Sequence, residues 1–170
     1  QILKLKDSIY TLKAIKSAKE IKNIKTAHVI DGIALTKYLL WLKKNFRKKK
    51  ITEISGSQKL LKFRKKNNKF RSLSFPTISG SGPNGAIIHY QANKKTNRTL
   101  NKGDIYLVDS GGQYEFGTTD VTRTLSLDNY NKRIKKIFTR VLKGHIAVAD
   151  FQIKKKTTGS IIDIYARKYL

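Results

Sequence analysis

The 170-residue sequence contains no cysteine, which excludes a disulfide framework, a thiolate metal site and a cysteine nucleophile. It has no apolar run long enough for a transmembrane helix and no charged-then-apolar segment typical of a signal peptide. Hydrophobic residues make up 39% of the chain, enough for one domain with a buried core. These features fit a reducing compartment, and we expect a cytoplasmic protein with no membrane partner.

Methionine is absent as well, and the chain begins Gln1-Ile2-Leu3. Because a complete reading frame starts with Met, we expect a processed product or a fragment. Residues 160–170 have the apolar spacing of a helix but reach the last residue without the Gly or Pro that commonly ends one. The sequence therefore indicates a chain that is cut at both ends.

Acidic side chains are scarce, since 11 Asp and Glu oppose 37 Lys and Arg, for a formal net charge of +26. Such a charge is typical of nucleic-acid-binding proteins. However, Lys outnumbers Arg by 29 to 8, and Ile and Asn are also abundant, which indicates a bias toward A/T-rich codons. Arg is the better side chain for phosphates and base edges. We therefore interpret most lysines as a solvated surface and consider a nucleic-acid partner the weaker alternative.

Two helices are predicted in the first half of the chain. Ser17 and Glu20 form a capping-box pattern before a helix over 18–46, in which apolar residues recur at spacings of three or four. A second helix is predicted over 52–66, although Gly56 weakens it.

The middle of the chain has strand patterns. Short strands are predicted at 86–90, 105–109 and 118–125, with a loop over 111–117. The Gly- and Pro-rich stretch 79–85 is interpreted as a loop that lets backbone approach a ligand or a neighbouring strand.

A third helical pattern follows, capped by Asp128 or Asn129. Helices, then strands, then helices predict an α+β fold with helices packed on a mainly antiparallel sheet. We interpret residues 1–16 as a lead-in from a preceding domain and 17–170 as part of one domain.

Two aspartates are the strongest candidates for chemistry. Asp109 ends one predicted strand and Asp120 lies in the next; a hairpin turning about Tyr114-Glu115 places them directly opposite on one face. Because opposed carboxylates repel, they either share a proton or hold a cation between them. Oxygen ligands suit divalent ions such as Mn²⁺, Mg²⁺, Co²⁺ or Zn²⁺. Two unrelated aspartates in a longer, unpaired loop remain the alternative.

The three histidines are weaker candidates. His89 ends a predicted strand twenty residues before Asp109, where a satisfied structural histidine is the more common finding. His28 and His145 lie in predicted helices, and a structural interpretation is favoured for both.

Several stretches carry a resemblance to a known family. They read Ser-Phe-Pro-Thr-Ile-Ser-Gly-Ser-Gly-Pro-Asn-Gly-Ala-Ile-Ile-His-Tyr at 74–90, Asp-Ser-Gly-Gly-Gln-Tyr at 109–114, Gly-Thr-Thr-Asp-Val-Thr-Arg-Thr at 117–124 and Val-Leu-Lys-Gly-His-Ile-Ala at 141–147. Over roughly residues 15–170 the chain closely resembles aminopeptidase P (Xaa-Pro aminopeptidase), in the peptidase family with the pita-bread creatinase/aminopeptidase fold. The resemblance implies the N-terminal half of that catalytic domain.

The resemblance also implies roles for three residues. Asp109 matches an aspartate that binds one metal, Asp120 matches an aspartate that bridges two metals, and His89 matches a substrate-site histidine. The implied cofactors are two divalent ions, usually Mn²⁺, that activate a bridging water. The implied substrates are peptides with proline in second position, and the parent protein is expected to be a homodimer.

The sequence departs from the family pattern in its ligand set. The family needs one further histidine, in a His-Gly-x-Gly-His stretch, and two glutamates, but no such stretch and no Glu follow Asp120. We expect these ligands to lie beyond Leu170 and the isolated chain to be inactive. Phe116 replaces an Asp that is common before the Gly-Thr-Thr run, and we expect only a local effect.

Other activities on the same fold remain open. Prolidase, methionine aminopeptidase and non-enzymatic relatives share it, so the substrate class rests on analogy. The rival of a different class is a basic nucleic-acid- or ribosome-binding module, which has no need for two opposed carboxylates.

Overall fold

The structure is a computed structural model that describes residues 7–128 and 131–170. It divides into two compact units, of which the first ends at Leu127 and the second spans Asp128–Leu170. Within the described ranges, no helix is both long and apolar enough to cross a membrane. The three residues that the resemblance assigns to the chemistry all lie in the first unit.

The first unit begins with three helices, α1 (Ser8–Ala14), α2 (Ala18–Asn45) and α3 (Glu53–Arg64). Helix α2 starts with the predicted capping box: the Ser17 hydroxyl accepts from the Glu20 amide, and the Glu20 carboxylate accepts from the Ser17 amide. The N-cap of α3 is Thr52. Both predicted helices therefore start and end within two residues of the expected positions.

Six short strands complete the first unit. They are β1 (Phe70–Leu73), β2 (Ile78–Ser81), β3 (Ile105–Ser110), β4 (Gly112–Tyr114), β5 (Gly117–Thr118) and β6 (Val121–Ser126). They form two three-stranded antiparallel sheets, in the orders β1-β4-β5 and β2-β3-β6. Helix α3 packs on β2 and α2 packs on β5, which confirms the predicted α+β class.

The core of the first unit lies where α2 and α3 meet the β2-β3-β6 sheet. Its buried apolar residues are Leu35, Tyr38, Leu42, Ile51, Leu60, Leu100, Tyr106, Val108 and Leu127. The hydroxyls of Tyr38 and Tyr106 lie 2.8 Å apart within it. Gly56 belongs to this core because a Cβ at that position would come within 2.9 Å of the Tyr38 hydroxyl. Close packing therefore explains the glycine that weakened the helix prediction.

Residues 86–90 do not form the predicted strand. Gly82–Ala86 is a 3₁₀ helix, after which the chain turns with the Tyr90 amide donating to the Ile87 carbonyl at 3.2 Å. The predicted 79–85 loop is also partly strand, since Gly80 lies buried in β2. A Cβ on Gly80 would come within 2.8 Å of the Gly85 backbone, so the glycine allows two backbone segments to pack directly.

The second unit contains α4 (Lys132–Ala149) and α5 (Gly159–Arg167), which pack on each other. Asn131 caps α4 by accepting a hydrogen bond from the Arg133 amide at 2.7 Å. The predicted cap at Asp128 is therefore wrong, and Asn129, the other predicted cap, lies outside the described residues.

Candidate metal centre

The β3–β6 hairpin sets the positions of the two candidate aspartates. Asp109 pairs with Thr122, and Tyr114 pairs with Gly117, so the turn residues are 115 and 116. The prediction that Asp109 and Asp120 lie directly opposite is therefore wrong, because the hairpin turns one residue later than expected. If the same register is continued by one residue, Asp120 lies diagonally from Asp109 on the same face, and diagonal neighbours on antiparallel strands are roughly 7–8 Å apart.

Thr119 fixes the backbone next to Asp120 and interrupts the predicted 118–125 strand. Its amide donates to the Gly112 carbonyl at 2.9 Å, and its hydroxyl accepts from the Gly112 amide at 2.9 Å. Its carbonyl accepts from the Ser74 hydroxyl at 2.9 Å. A Cβ on Gly111 would collide with that carbonyl, so only glycine permits this approach. The exposed Asp120 side chain therefore extends from a rigid, buried neighbour.

The Asp109 carboxylate is incompletely satisfied. The residue is half-buried, and its Oδ1 atom is buried without a hydrogen-bond partner among the described residues. A buried, unpaired carboxylate oxygen is costly, and native proteins rarely retain one without a ligand or a functional reason. Carboxylate oxygens are the donors that divalent cations such as Mg²⁺ and Mn²⁺ prefer. Asp109 and Asp120 therefore fit part of a metal site.

The donor set within the described residues is nevertheless incomplete. In the ranges 7–128 and 131–170, no group of three or more His, Cys, Asp or Glu side chains is arranged to hold a metal ion.

A buried ion pair lies beneath the end of β3. Arg64, in α3, donates from Nε to Asp31 Oδ1 at 2.7 Å and from Nη2 to Asp31 Oδ2 at 2.9 Å. Arg64 Nη2 also donates to the Ser110 hydroxyl at 3.1 Å, and the Tyr114 hydroxyl donates to Asp31 Oδ1 at 2.7 Å. Because Ser110 follows Asp109 directly, the ion pair anchors the strand end that carries the candidate ligand.

The ionisation of this group follows from its contacts. Burial raises the pKa of Asp31, but the hydrogen bonds and charge of Arg64, together with the Tyr114 hydrogen bond, outweigh burial and hold the pKa below its ordinary value. Burial also raises the pKa of Tyr114 far above its ordinary value, and the adjacent Asp31 carboxylate raises it further. At neutral pH Asp31 is therefore charged and Tyr114 keeps its proton as a donor.

His89 lies in the turn that follows the 3₁₀ helix. Its side chain is exposed, and its φ of 54° is in the left-handed region, which is uncommon for a residue other than glycine. The 3₁₀ helix packs on β2 and on β3, the strand that carries Asp109. Across the described chain, no hydrogen bond involves the His89 ring. The described residues therefore hold this ring by no hydrogen bond.

The other two histidines lie on helices, as predicted. His28 is exposed in α2, with Nδ1 2.9 Å from the Ile24 carbonyl oxygen, and His145 is exposed in α4 of the second unit. A structural role remains the favoured interpretation for both histidines.

A basic cavity of about 800 Å³ also lies in the first unit. Its lining comes from the segments 46–50 and 98–102 and includes Arg47, Lys48, Lys49, Lys50, Arg98 and Lys102. No acidic side chain lines it, so this is where the rival hypothesis of polyanion binding would apply.

Comparison with solved structures defines the class of fold. The chain superposes with a TM-score of 0.88 and 36% identity on the X-prolyl aminopeptidase of Caenorhabditis elegans, described as a cytosolic enzyme with a di-nuclear active site. This match covers 96% of the chain and 27% of that protein. The Xaa-Pro dipeptidase of Bacillus anthracis matches with a TM-score of 0.80 and 28% identity, over 95% of the chain and 42% of that protein. The fold is that of the pita-bread aminopeptidases and prolidases.

The chain belongs to metallopeptidase family M24, whose family model matches residues 22–170. Among curated relatives, the Xaa-Pro aminopeptidase ApepP of Drosophila melanogaster is 46% identical over 163 residues, which is 95% of this chain and 27% of that protein. The chain thus spans about a quarter of the length of this relative.

Proposed function

We propose that this chain is part of a dinuclear-metal aminopeptidase that removes the first residue from peptides with proline in second position. The observation that carries the proposal is the buried Asp109 Oδ1 atom, which lacks a hydrogen-bond partner on the face shared with Asp120. Membership in family M24 supports it, as do relatives named Xaa-Pro aminopeptidase. A structural relative with a di-nuclear active site supports two metal ions.

Asp109 and Asp120 are the residues of this chain that would hold the metal ions. Divalent ions bound there would supply Lewis-acid polarisation of a peptide carbonyl and a more acidic water at neutral pH. The contribution of the chain is positional: the Arg64–Asp31 pair anchors the end of β3, and Thr119 fixes the backbone before Asp120. Both carboxylates are thereby held by backbone that is fixed through buried hydrogen bonds.

His89 would contact the substrate at the candidate metal centre. It is exposed, and it follows a 3₁₀ helix that packs on the strand of Asp109. With no hydrogen bond to its ring among the described residues, it is available to a substrate peptide or to the tetrahedral intermediate. This role is supported by the match of 74–90 to the family pattern.

Further properties of the parent protein belong to the same proposal. We propose Mn²⁺ as the metal, on the resemblance to aminopeptidase P, and a cytoplasmic location, on the cytosolic Caenorhabditis elegans relative. A homodimeric parent is proposed on the resemblance alone. The remaining ligands, one histidine and two glutamates, are proposed to come from parts of the parent protein outside this chain, which spans 27% of its Drosophila relative.

The test is an assay of the product of the whole reading frame with Mn²⁺ on matched tripeptides that carry proline or alanine in second position. We expect release of the first residue from the proline peptide only, and Asp120→Asn to lower that rate by at least about 100-fold. Asp150→Asn, a change of the same kind at an exposed helix end, should leave it unchanged. Equal cleavage of both peptides, or cleavage independent of metal, would contradict the proposal.

Prolidase is the second candidate, because the Bacillus anthracis neighbour is an Xaa-Pro dipeptidase. An aminopeptidase should cleave an Xaa-Pro tripeptide at least as well as the Xaa-Pro dipeptide. Cleavage of the dipeptide alone would favour prolidase.

A further inference from the structure

Glu53 is a buried carboxylate at the first position of α3, and no part of it is exposed. Oε1 accepts from the Ser81 amide at 2.7 Å, and Oε2 accepts from the Arg98 amide at 2.9 Å. The Asn84 side-chain amide donates to both oxygens, at 3.0 and 3.2 Å, and the Tyr90 hydroxyl lies 2.9 Å from Oε2. The carboxylate is therefore fully engaged.

Within the described residues, the hydrogen-bond donors to this carboxylate are all neutral groups. Its donors are two backbone amides, one side-chain amide and one hydroxyl, and none is a charged side chain. The position in the first turn of a helix also favours a negative charge, because the positive end of the helix dipole lies there. Hydrogen bonds to an ionised acceptor are about twice as strong as neutral ones, so this cluster is a strong local restraint.

The donors lie within or directly beside one segment, which we call the histidine loop (residues 82–97). Ser81 and Arg98 flank the loop on its two sides, so Glu53 holds both of its ends. Asn84 and Tyr90 lie within the loop, so the same carboxylate also holds its middle. The backbone amide of Glu53 donates to the Arg98 carbonyl at 3.0 Å, which strengthens the closure.

His89 lies in the histidine loop beside Tyr90, one of the two loop residues that contact Glu53. Tyr90 is buried, and its hydroxyl contacts Glu53, whereas the adjacent His89 is exposed and has a positive φ. A non-glycine residue with positive φ persists only where its surroundings enforce it. The described contacts include no hydrogen bond to the His89 ring, whereas the hydroxyl of its neighbour Tyr90 is held by hydrogen bonds.

We propose that Glu53 is a positioning residue that holds the histidine loop closed and thereby fixes His89 at the edge of the candidate site. The use of His89 in catalysis rests on the proposed function, but its placement by Glu53 does not. Glu53→Gln is the sharpest variant, because it keeps the shape and puts an NH₂ group against either the Ser81 or the Arg98 amide.

Imidazole NMR spectra of the 170-residue chain provide the test, since His28, His89 and His145 give three signals. We expect Glu53→Gln to shift or broaden the His89 signal alone, and the Ser81 or Arg98 amide to exchange about tenfold faster or more. Glu20→Gln is the matched control, because it weakens the capping box of α2 without a contact to the loop.

An unchanged His89 signal in folded Glu53→Gln would overturn the proposal, whether or not the two amides exchange faster. If that variant fails to fold, Tyr90→Phe decides by the same criterion, since it removes only the hydroxyl that contacts Glu53. An unmoved His89 signal in folded Tyr90→Phe would then overturn it.

Activity provides a second readout in the product of the whole reading frame. Glu53→Gln should lower kcat for the Xaa-Pro tripeptide about tenfold or more while metal binding is unchanged, and Glu20→Gln should lower neither. A fall in metal binding that accounts for the lost activity would contradict positioning through His89. If the unmodified protein cleaves no Xaa-Pro peptide, the proposed function fails, and the NMR result still decides the role of Glu53.

Discussion

The Arg64 guanidinium donates hydrogen bonds to both carboxylate oxygens of Asp31, at 2.7 and 2.9 Å, and both side chains are buried. The pair joins α2 to α3. Further hydrogen bonds, from Arg64 to Ser110 and from Tyr114 to Asp31, join it to the hairpin of the candidate metal ligands. The two long helices are therefore tied directly to the strand end that carries Asp109.

Removing the charge of Asp31 should be strongly destabilising. Asp31→Asn leaves the buried Arg64 guanidinium without its counter-charge, and we expect a loss of about 3–5 kcal/mol in the free energy of unfolding. Glu115→Gln is the control in the same unit, because Glu115 pairs with Lys69 and Arg71 at a partly exposed site. That change should cost about 1 kcal/mol or less by urea denaturation. Equal losses would show that the buried pair is not a special anchor.

The same pair predicts a dependence of stability on pH. The folded pKa of Asp31 lies below its ordinary value of 3.8, so its ionisation stabilises the fold at pH values above 3.8. This contribution should shrink as pH falls below 3.8 and vanish below the folded pKa. Urea denaturation of the unchanged chain and of Asp31→Asn from pH 7 to pH 3 measures it. A stability difference that grows with acid would contradict the assignment.

Local signals predicted the helices, but they could not predict the register of the hairpin. Ser17 and Glu20 are three residues apart, so their capping box is visible in the sequence. The hairpin turns at Glu115 and Phe116, which lack the Asn-Gly or Asp-Gly signal of a two-residue turn. A turn misplaced by one residue changes the partner of Asp109 by two positions.

The contacts of Asp31, Arg64 and Glu53 could not be predicted from the sequence for a different reason. Asp31 and Arg64 are 33 positions apart, and each resembles an ordinary helical charge until the helices pack. Glu53 likewise resembles a first-turn acid that favours the helix dipole, while its partners lie 28 to 45 positions away. Only Asp109, Asp120 and His89 had a family pattern to mark them.

Two helical glycines should respond in opposite directions to alanine. Gly56→Ala places a Cβ 2.9 Å from the Tyr38 hydroxyl, and we expect a loss of about 1–3 kcal/mol. Gly32→Ala, in α2, meets nothing within 4 Å and should gain about 0.5–1 kcal/mol from helix propensity. Denaturant midpoints of the two variants measure both. A loss of the same size at Gly32 would refute the packing explanation for Gly56.

The two lysine runs distinguish a solvated surface from a polyanion site. Lys48–Lys50 line the basic cavity, whereas Lys154–Lys156 form a run of the same length in the second unit. Triple alanine variants of each run should weaken binding to a single-stranded oligonucleotide equally and reduce its salt dependence equally. Fluorescence anisotropy at several salt concentrations measures this. A selective loss for the 48–50 variant would support the nucleic-acid alternative.

The most direct measurement of the central claim is the effect of Mn²⁺ on amide NMR signals of the 170-residue chain. Paramagnetic broadening detects weak binding, which suits an incomplete donor set. We predict that signals of residues 109–111 and 120–122 broaden first, that the double variant Asp109→Asn/Asp120→Asn loses this local effect, and that Asp150→Asn retains it. Broadening that begins elsewhere, or that persists unchanged in the double variant, would contradict the assignment of a metal centre to these two carboxylates.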